Sequence, residues 1–535
     1  MPRLTRRSLL AAAAGAAAAG CTRSERAPVP AAWIGARYER GHRLRASAAL
    51  PAAAVQRRAR VLIVGAGIAG LAAARGFLRQ GVDDIAVLEL EDAAGGNSRG
   101  HELAGIRCPM GAHYLPVPGE GSLPELSEWL HEIGLLKTEA GRTRPDERHL
   151  CHSPQERLFI DGAWAEGLLP PADAGSATAA QYSRFAALVR SLTGPPAERR
   201  FALPAHRARP HADVMALDAL TFAHWLDAQR LDDTRLRWYL DYACRDDYGA
   251  GIHTVSAWAG IHYFASRHGF HAPGEGEGER EAVFTWPEGN AWLVQRLAAP
   301  LGERLHTGRT ALRVEEGRHG VNLLAWDEQR QQAEAWQAQL VVLALPLFVA
   351  ARVLATPPAA LLDAARWPHA PWLVANVHID KPLLPRQGLP AAWDSVIYRA
   401  EPGSALGYVD AGHQSLAPVP GATVLTAYHA LPIAERATLL ADDTAPWRDR
   451  VLRDLAEAHP DIHERAQHID LVRWGHAMAV PVPGLRSHAA LPALRAQHGR
   501  IRFAHADLAG YSVFEEAFVA GHEAALAPWP RGPGA

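Results

Sequence analysis

The chain has 535 residues, 48% hydrophobic and 21% charged, with 16 tryptophans, so it carries enough apolar surface to offset the entropy of ordering a globular protein. That length exceeds one small core and points to a large enzyme of two or more domains. A formal charge of −2 without a concentrated basic run excludes a general nucleic-acid binder, which needs a basic face for phosphates.

Thr5-Arg6-Arg7-Ser8-Leu9-Leu10 sets a twin arginine before an Ala-rich apolar run that ends at Gly20. This is the pattern of a twin-arginine export signal over residues 1–21, read by the twin-arginine machinery and leading to the periplasm. Ala18-Ala19-Gly20-Cys21 resembles a lipoprotein cleavage site, which would put a lipid anchor on Cys21. Residues 22–59, rich in Ala, Arg and Pro, are expected to be a linker. The first domain is expected to begin near Arg60. Val61 to Val64 is a short apolar run of the kind buried on both faces of a parallel sheet, a helix should follow from Ile68 to about Gln80, and Ile85 to Leu88 should be the next strand.

Between that strand and helix stands Gly65-Ala66-Gly67-Ile68-Ala69-Gly70, with Glu89-Leu90 closing the next strand. In a βαβ unit the first glycine permits a tight turn, the second lets a pyrophosphate approach the backbone, and the third lets helix pack on strand. The phosphates then meet the positive end of the helix. Glu89 is placed to accept hydrogen bonds from ribose hydroxyls, and its charge disfavours a 2′-phosphate, so NADP is not expected. The unit leaves NAD and FAD open.

From Leu123 to Ser266 the apolar spacing is mostly helical, which predicts a helical insertion. Within it, Cys244-Arg245-Asp246-Asp247-Tyr248-Gly249 is densely polar, and the simplest reading is a solvated turn. Trp286-Pro287-Glu288-Gly289 opens a new element, Leu340 to Leu345 reads as another fully buried strand, and the stretches Trp372–Asp380 and Thr423–Tyr428 should build a separate sheet. The histidines lack ligand spacing, so no metal is expected.

Several segments together resemble the flavin amine oxidase and phytoene-desaturase superfamily. Gly95-Gly96-Asn97-Ser98-Arg99 and Pro109-Met110-Gly111-Ala112-His113 are similar to its second glycine motif and its Gly-Ala-His segment. Thr310-Ala311-Leu312 is similar to the stretch that contacts adenine, and Ile501 to Asp507 with Phe514-Glu515-Glu516-Ala517 to the closing flavin motif. The resemblance implies non-covalent FAD, held by Gly65, Gly67, Ile68, Ala69, Gly70, Glu89, Leu90, Gly95, Gly96, Asn97, Ser98, Gly111, Ala112, His113, Ala311, Asp507 and Phe514. Asp507 would bond the ribityl chain. Asn97 stands where the family usually has Arg, leaving that phosphate contact to Arg99 or to a neutral amide.

The resemblance further implies an α/β fold: a Rossmann-like parallel-sheet FAD domain assembled from residues 60–115, 286–350 and 500–535, and an α+β substrate domain from 116–285 and 351–499 that carries the helical insertion. The activity implied is hydride transfer from a small-molecule substrate, an amine or amino acid, to flavin N5. Many members place a lysine six residues after the strand-ending proline, where it holds a water; counted from Pro346, that position is Arg352. His476, in the Trp474-containing segment, is the candidate proton handler. Two other readings stand beside this one, a desaturase or isomerase of an apolar polyene and a lipoprotein that binds FAD without turnover.

Overall fold

A computed structural model describes residues 27–45, 50–267, 269–272, 282–399, 405–415, 420–441, 443–496 and 499–529. The export signal and Cys21 lie outside the described residues.

The fold is α/β, built on two sheets. In the first, the strands Ile85–Leu88, Ala53–Val64 and Gln332–Leu343 run parallel, and Leu305–His306 adds to the Ile85–Leu88 edge. Gln332–Leu343 is long enough to change partners: Ala333 to Ala338 join the antiparallel strands Gly320–Asp327 and Arg309–Gly317, while Val341 to Leu343 pair in parallel with Ile501–Phe503. The ends of Ala53–Val64 and Gln332–Leu343 are buried on both faces because the helix Ile68–Arg79 covers one side and Leu347–Val353 the other. This explains their unbroken apolar runs.

Ala53–Val64 starts eight residues before Val61, where the apolar run that marks it in the sequence begins. Its first half alternates between half-buried and exposed residues, and only the second half is sealed, so hydrophobicity alone sees half the strand.

The second sheet has eight strands in the order Ala31–Ile34, Ala466–Ala479, His369–Ile379, Thr423–Ala430, Ala405–Asp410, Asp394–Ile397, Glu156–Ile160, Ala163–Glu166. The helices Ala177–Thr193, Phe222–Ala228, Thr234–Tyr248 and Ala257–Ala265 pack on it through a core rich in aromatic rings.

Two expectations need correction. Residues 22–59 are not a plain linker: Ala31–Ile34 pairs in parallel with Ile469 to Val472, and the following Tyr38–His42 lies against the first domain. Edge pairing draws on backbone hydrogen bonds, which composition does not reveal. The 123–266 stretch is not all helix either, since Glu156–Ile160 and Ala163–Glu166 extend the second sheet and Leu136–Glu139 forms a hairpin with Arg142–Pro145.

A buried charge network fastens the first sheet. Arg309, 5% exposed, lies 2.8 Å from Asp327 and 3.4 Å from Glu334, both fully buried. Replacing Arg309 with methionine leaves Asp327 to Arg330 (3.2 Å) and Glu334 to Arg57 (2.9 Å), both partly exposed arginines, and a loss of about 1.5–3 kcal/mol is expected in a urea unfolding titration.

Candidate functional site

The two glycine segments meet at the carboxyl ends of the parallel strands. Gly65 has φ +101°, and a Cβ there would sit 2.3 Å from the Ala344 carbonyl oxygen, so glycine is required. Gly70 begins the covering helix so close to the turn that a Cβ would lie 1.9 Å from the Gly65 oxygen. Gly67 and Gly95 form an isolated parallel bridge, which brings the two motifs side by side with bare backbone. Glu89 is buried, and its carboxylate accepts from the Ala66 N–H (2.7 Å) and the Glu91 N–H (2.9 Å). Burial raises its carboxyl above the usual range, with these N–H groups acting in the opposite direction.

These groups line one cavity of about 490 Å³. Of the residues expected at a cofactor, it is lined by Gly65, Gly67, Ile68, Ala69, Glu89, Leu90, Gly95, Gly96, Asn97, Ser98, Ala112, Ala311, Asp507 and Phe514. Gly70, Gly111 and His113 stand behind the wall. Gly70 serves helix packing, while the Gly111 carbonyl accepts from the Tyr428 hydroxyl (2.9 Å). The His113 ring lies against Tyr428 at 4.6 Å and is pulled down to about 4 by burial, so it is neutral.

Asp507 is 1% exposed. Its Oδ2 accepts from the Leu347 N–H (2.9 Å) and lies 3.1 Å from His369 Nε2. Its Oδ1 lies 3.1 Å from His505 Nδ1, but that nitrogen already accepts from the Asp507 N–H, so Oδ1 has no hydrogen bond. Burial pushes this carboxyl up, yet the two imidazoles outweigh it and hold it well below the usual range. A buried, ionised and unsatisfied acceptor on a cavity wall suits a hydroxyl donor such as a ribityl chain. Bare glycine backbone suits a pyrophosphate, and Glu89 suits a ribose. The residues present fit FAD.

His476 lines the cavity with its ring 4.7 Å from Phe348. Burial, then the charges of Arg436 and His369, pull it down to about 3, so its intrinsic proton affinity is lost and it stays a neutral imidazole. Arg352, in the last turn of Leu347–Val353, also lines the cavity but is exposed, on the side where Arg45 and His42 of the N-terminal segment lie.

A second group of side chains lies across the Pro109-to-His113 segment from this cavity. Trp474 Nε1 donates to the Met110 carbonyl (2.7 Å) and Asn376 Nδ2 to that of Pro109 (3.1 Å), which fixes the segment as a wall. Beyond it, His113 meets Tyr114, Trp393 and Tyr428. Asp394 begins the strand Asp394–Ile397 in register with Glu156 of the neighbouring parallel strand. Tyr242 and Asp246 lie one turn apart on the helix Thr234–Tyr248.

Asp246 and Asp394 are enclosed by protein yet keep accessible surface, as groups facing an internal space do. Burial and then Asp247 push Asp246 up to about 7; burial and then Asp246 and Glu156 push Asp394 well above its usual range. Among the described residues neither has an ion pair; of the two arginines whose charges reach Asp246, Arg245 pairs with Asp241 (2.8 Å) and Arg267 with Asp247 (3.3 Å). The polar stretch Cys244 to Gly249 is therefore the buried end of a helix and not a solvated turn.

Fold and site together define a dinucleotide-dependent oxidoreductase. The chain belongs to the family of flavin-containing amine oxidoreductases, whose model matches residues 68–527, and FAD is its cofactor. It is 41% identical to polyamine oxidase 1 of Oryza sativa subsp. japonica over 96 residues, 18% of each chain. A redesigned putrescine oxidase superposes with a TM-score of 0.65 at 19% identity, covering 88% of this chain and 98% of that one. A fatty acid isomerase that produces CLA, from P. acnes, does so with 0.62 at 17% identity over 87% and 97%. The fold is thus shared by proteins named for different substrates.

Proposed function

We propose that this protein oxidises a cationic amine, and that its substrate carries a second positive group besides the nitrogen at which it is oxidised. The observation that carries the reading is the pair Asp246 and Asp394, two enclosed carboxylates without an ion pair among the described residues, the arginines nearest Asp246 being paired with Asp241 and Asp247. Like charges that cannot both ionise there become a binding site for an ammonium group, whose arrival lets both ionise. Tyr242 and Tyr428, each coupled electrostatically to both carboxylates, add rings over which a cation is attracted. The names of the rice polyamine oxidase and the putrescine oxidase agree with a substrate of two or more amines.

When bound, FAD supplies the acceptor for a hydride leaving the carbon next to the amine nitrogen. That nitrogen must be neutral as the hydride departs, because its lone pair forms the C=N bond. The acidic pair therefore belongs to the distal ammonium, which it anchors while the reacting end reaches the wall at Ala112. The apolar rings of Trp393, Tyr114 and His113 exclude water from the path between. An acidic lining disfavours an apolar polyene.

Export belongs to the same proposal: the twin-arginine segment would send the folded, FAD-loaded protein to the periplasm, with Cys21 as a possible lipid anchor. The reading is tested by anaerobic bleaching of the flavin absorbance. Diamines and polyamines should bleach it at least tenfold faster than monoamines of equal length, as expected for loss of one charge-assisted contact of about 1.5–3 kcal/mol. Bleaching only by apolar polyenes, or by no member of the panel, defeats it.

A further inference from the structure

The pyrophosphate of FAD carries two negative charges, and the motif that usually meets them with an arginine has Asn97 instead. Asn97 Nδ2 donates to the Ala477 carbonyl (2.7 Å), so the amide is committed to the protein. Arg99, the other candidate, is 7% exposed, lies 3.5 Å from Glu91, donates to the Gly96 carbonyl (3.3 Å) and stacks on Trp474 at 5.2 Å. It does not line the cavity. Backbone N–H groups and a helix dipole remain, but no cation from either glycine motif.

The cavity has three arginines on its lining, Arg45, Arg309 and Arg352. Arg309 belongs to the buried pair with Asp327 and Glu334. Arg45 and Arg352 have no ion pair among the described residues, and they come from different segments, Arg45 from the N-terminal segment and Arg352 from the helix after Pro346. His42 lies near both, and the positive charge of each lowers its proton affinity, with burial the larger cause. Three basic groups converge with only the Glu39 charge beside His42 to offset them, and the excess positive charge repels itself unless a further anion sits among them.

The N-terminal segment is held in place by contacts that have no other evident purpose. The Arg37 N–H donates to Glu91 (3.0 Å), Arg40 donates to the Leu90 carbonyl (2.8 Å) and pairs with Asp92 (2.8 Å), and Arg473 packs over both Trp33 and Tyr38. The Arg37 and Arg40 contacts run along the strand end that carries Glu89, so the segment crosses the open side of the cradle. Tyr38, Gly41 and Leu44 complete that side of the cavity.

We propose that residues 31–45 form a strap across the dinucleotide cleft and that Arg45 and Arg352, with His42 beside them, bind the cofactor's pyrophosphate from its solvent side. The two arginines take over the charge that the Asn97 position gives up. Arg352 is then a cofactor-binding residue and has no part in holding water at the flavin.

The test is FAD affinity of apo-protein, read by quenching of flavin fluorescence, for the parent, Arg45→Gln, Arg352→Gln, the double variant and Arg58→Gln as a charge control on an exposed strand position away from the cavity. Both arginines are exposed, so folding is not at stake. Each single change should weaken FAD about fivefold and the double about twentyfold or more, as for partly exposed charge-assisted contacts. Rising salt should weaken FAD in the parent, and the double variant should lose most of that dependence. Arg58→Gln should match the parent. A double variant within twofold of the parent, or one weakened with the parent's full salt dependence, overturns the proposal. The readout involves no substrate, so it stands apart from the amine reading.

Discussion

Gly70→Ala is expected to give a folded protein that purifies without flavin colour. Its new methyl group would lie 1.9 Å from the Gly65 carbonyl oxygen, 3.0 Å from the Gly65 carbonyl carbon and 3.2 Å from Ala344 Cβ. The first of these is backbone in a turn that already has positive φ, so no side chain can swing aside. Either the helix start backs away from the turn or the Gly65 peptide rotates, and both pull the N–H groups off the pyrophosphate. Overpacking of this kind costs about 1–3 kcal/mol of stability. FAD affinity should fall by about 100-fold or more, the equivalent of two charge-assisted hydrogen bonds lost at once. Absorbance near the flavin band after gel filtration, beside the thermal melt of the apo-protein, separates lost binding from lost folding. A stoichiometrically yellow Gly70→Ala protein would remove the cradle from this account.

Asp246→Asn and Asp394→Asn should each lower kcat/KM for a diamine by about 10- to 100-fold, from loss of a charged contact of about 1.5–3 kcal/mol, and leave a monoamine nearly unchanged. The loss should fall mainly on KM, because the distal ammonium is bound alike before and during hydride departure. The pH dependence follows from the raised carboxyl. Asp246, pushed up to about 7, is ionised only above that pH, so kcat/KM should climb as pH rises through about 7. A limb from the amine's own deprotonation remains in Asp246→Asn, whereas the limb near 7 disappears. Steady-state kinetics with a diamine and its monoamine analogue across pH 5.5–9 measure both effects, and an unchanged profile in Asp246→Asn would refute the carboxylate's role.

The dinucleotide cradle is legible because its requirements are local. A turn that admits only glycine, a helix beginning at once and an acid at the end of the next strand occupy residues 61–89, and each constraint leaves its mark on residue type. Ala311, Asp507 and Phe514 were reachable only through family resemblance, since their neighbours in space are far away in sequence. The sequence also indicated Asn97 as a departure without showing what answers it, because Arg45 and Arg352 converge only after the second sheet has captured Ala31–Ile34 at its edge.

Tyr242, Asp394 and the strap had no sequence signal. The polar run Cys244 to Gly249 did have one, but high charge density ordinarily means solvation, and burial reversed its meaning: Asp246 became an unbalanced acid in place of a hydrated one. His476 shows the same limit from the other direction. Its residue type suggested titration near neutrality, and beside burial the charges that lower its proton affinity come from Arg436, His369 and the pair His42 and Arg45, three segments far apart in sequence.

The sequence by itself determined the parallel-sheet cradle, because backbone geometry at glycines and apolar burial are imposed by residues within one supersecondary unit, while the family and FAD were legible in it only through the resemblance of segments scattered along the chain. Tertiary structure alone decided which charges stand unpaired, at the acidic pair and at the basic opening of the cleft, because the energy of a charge depends on its solvation and on partners that only the folded chain brings near.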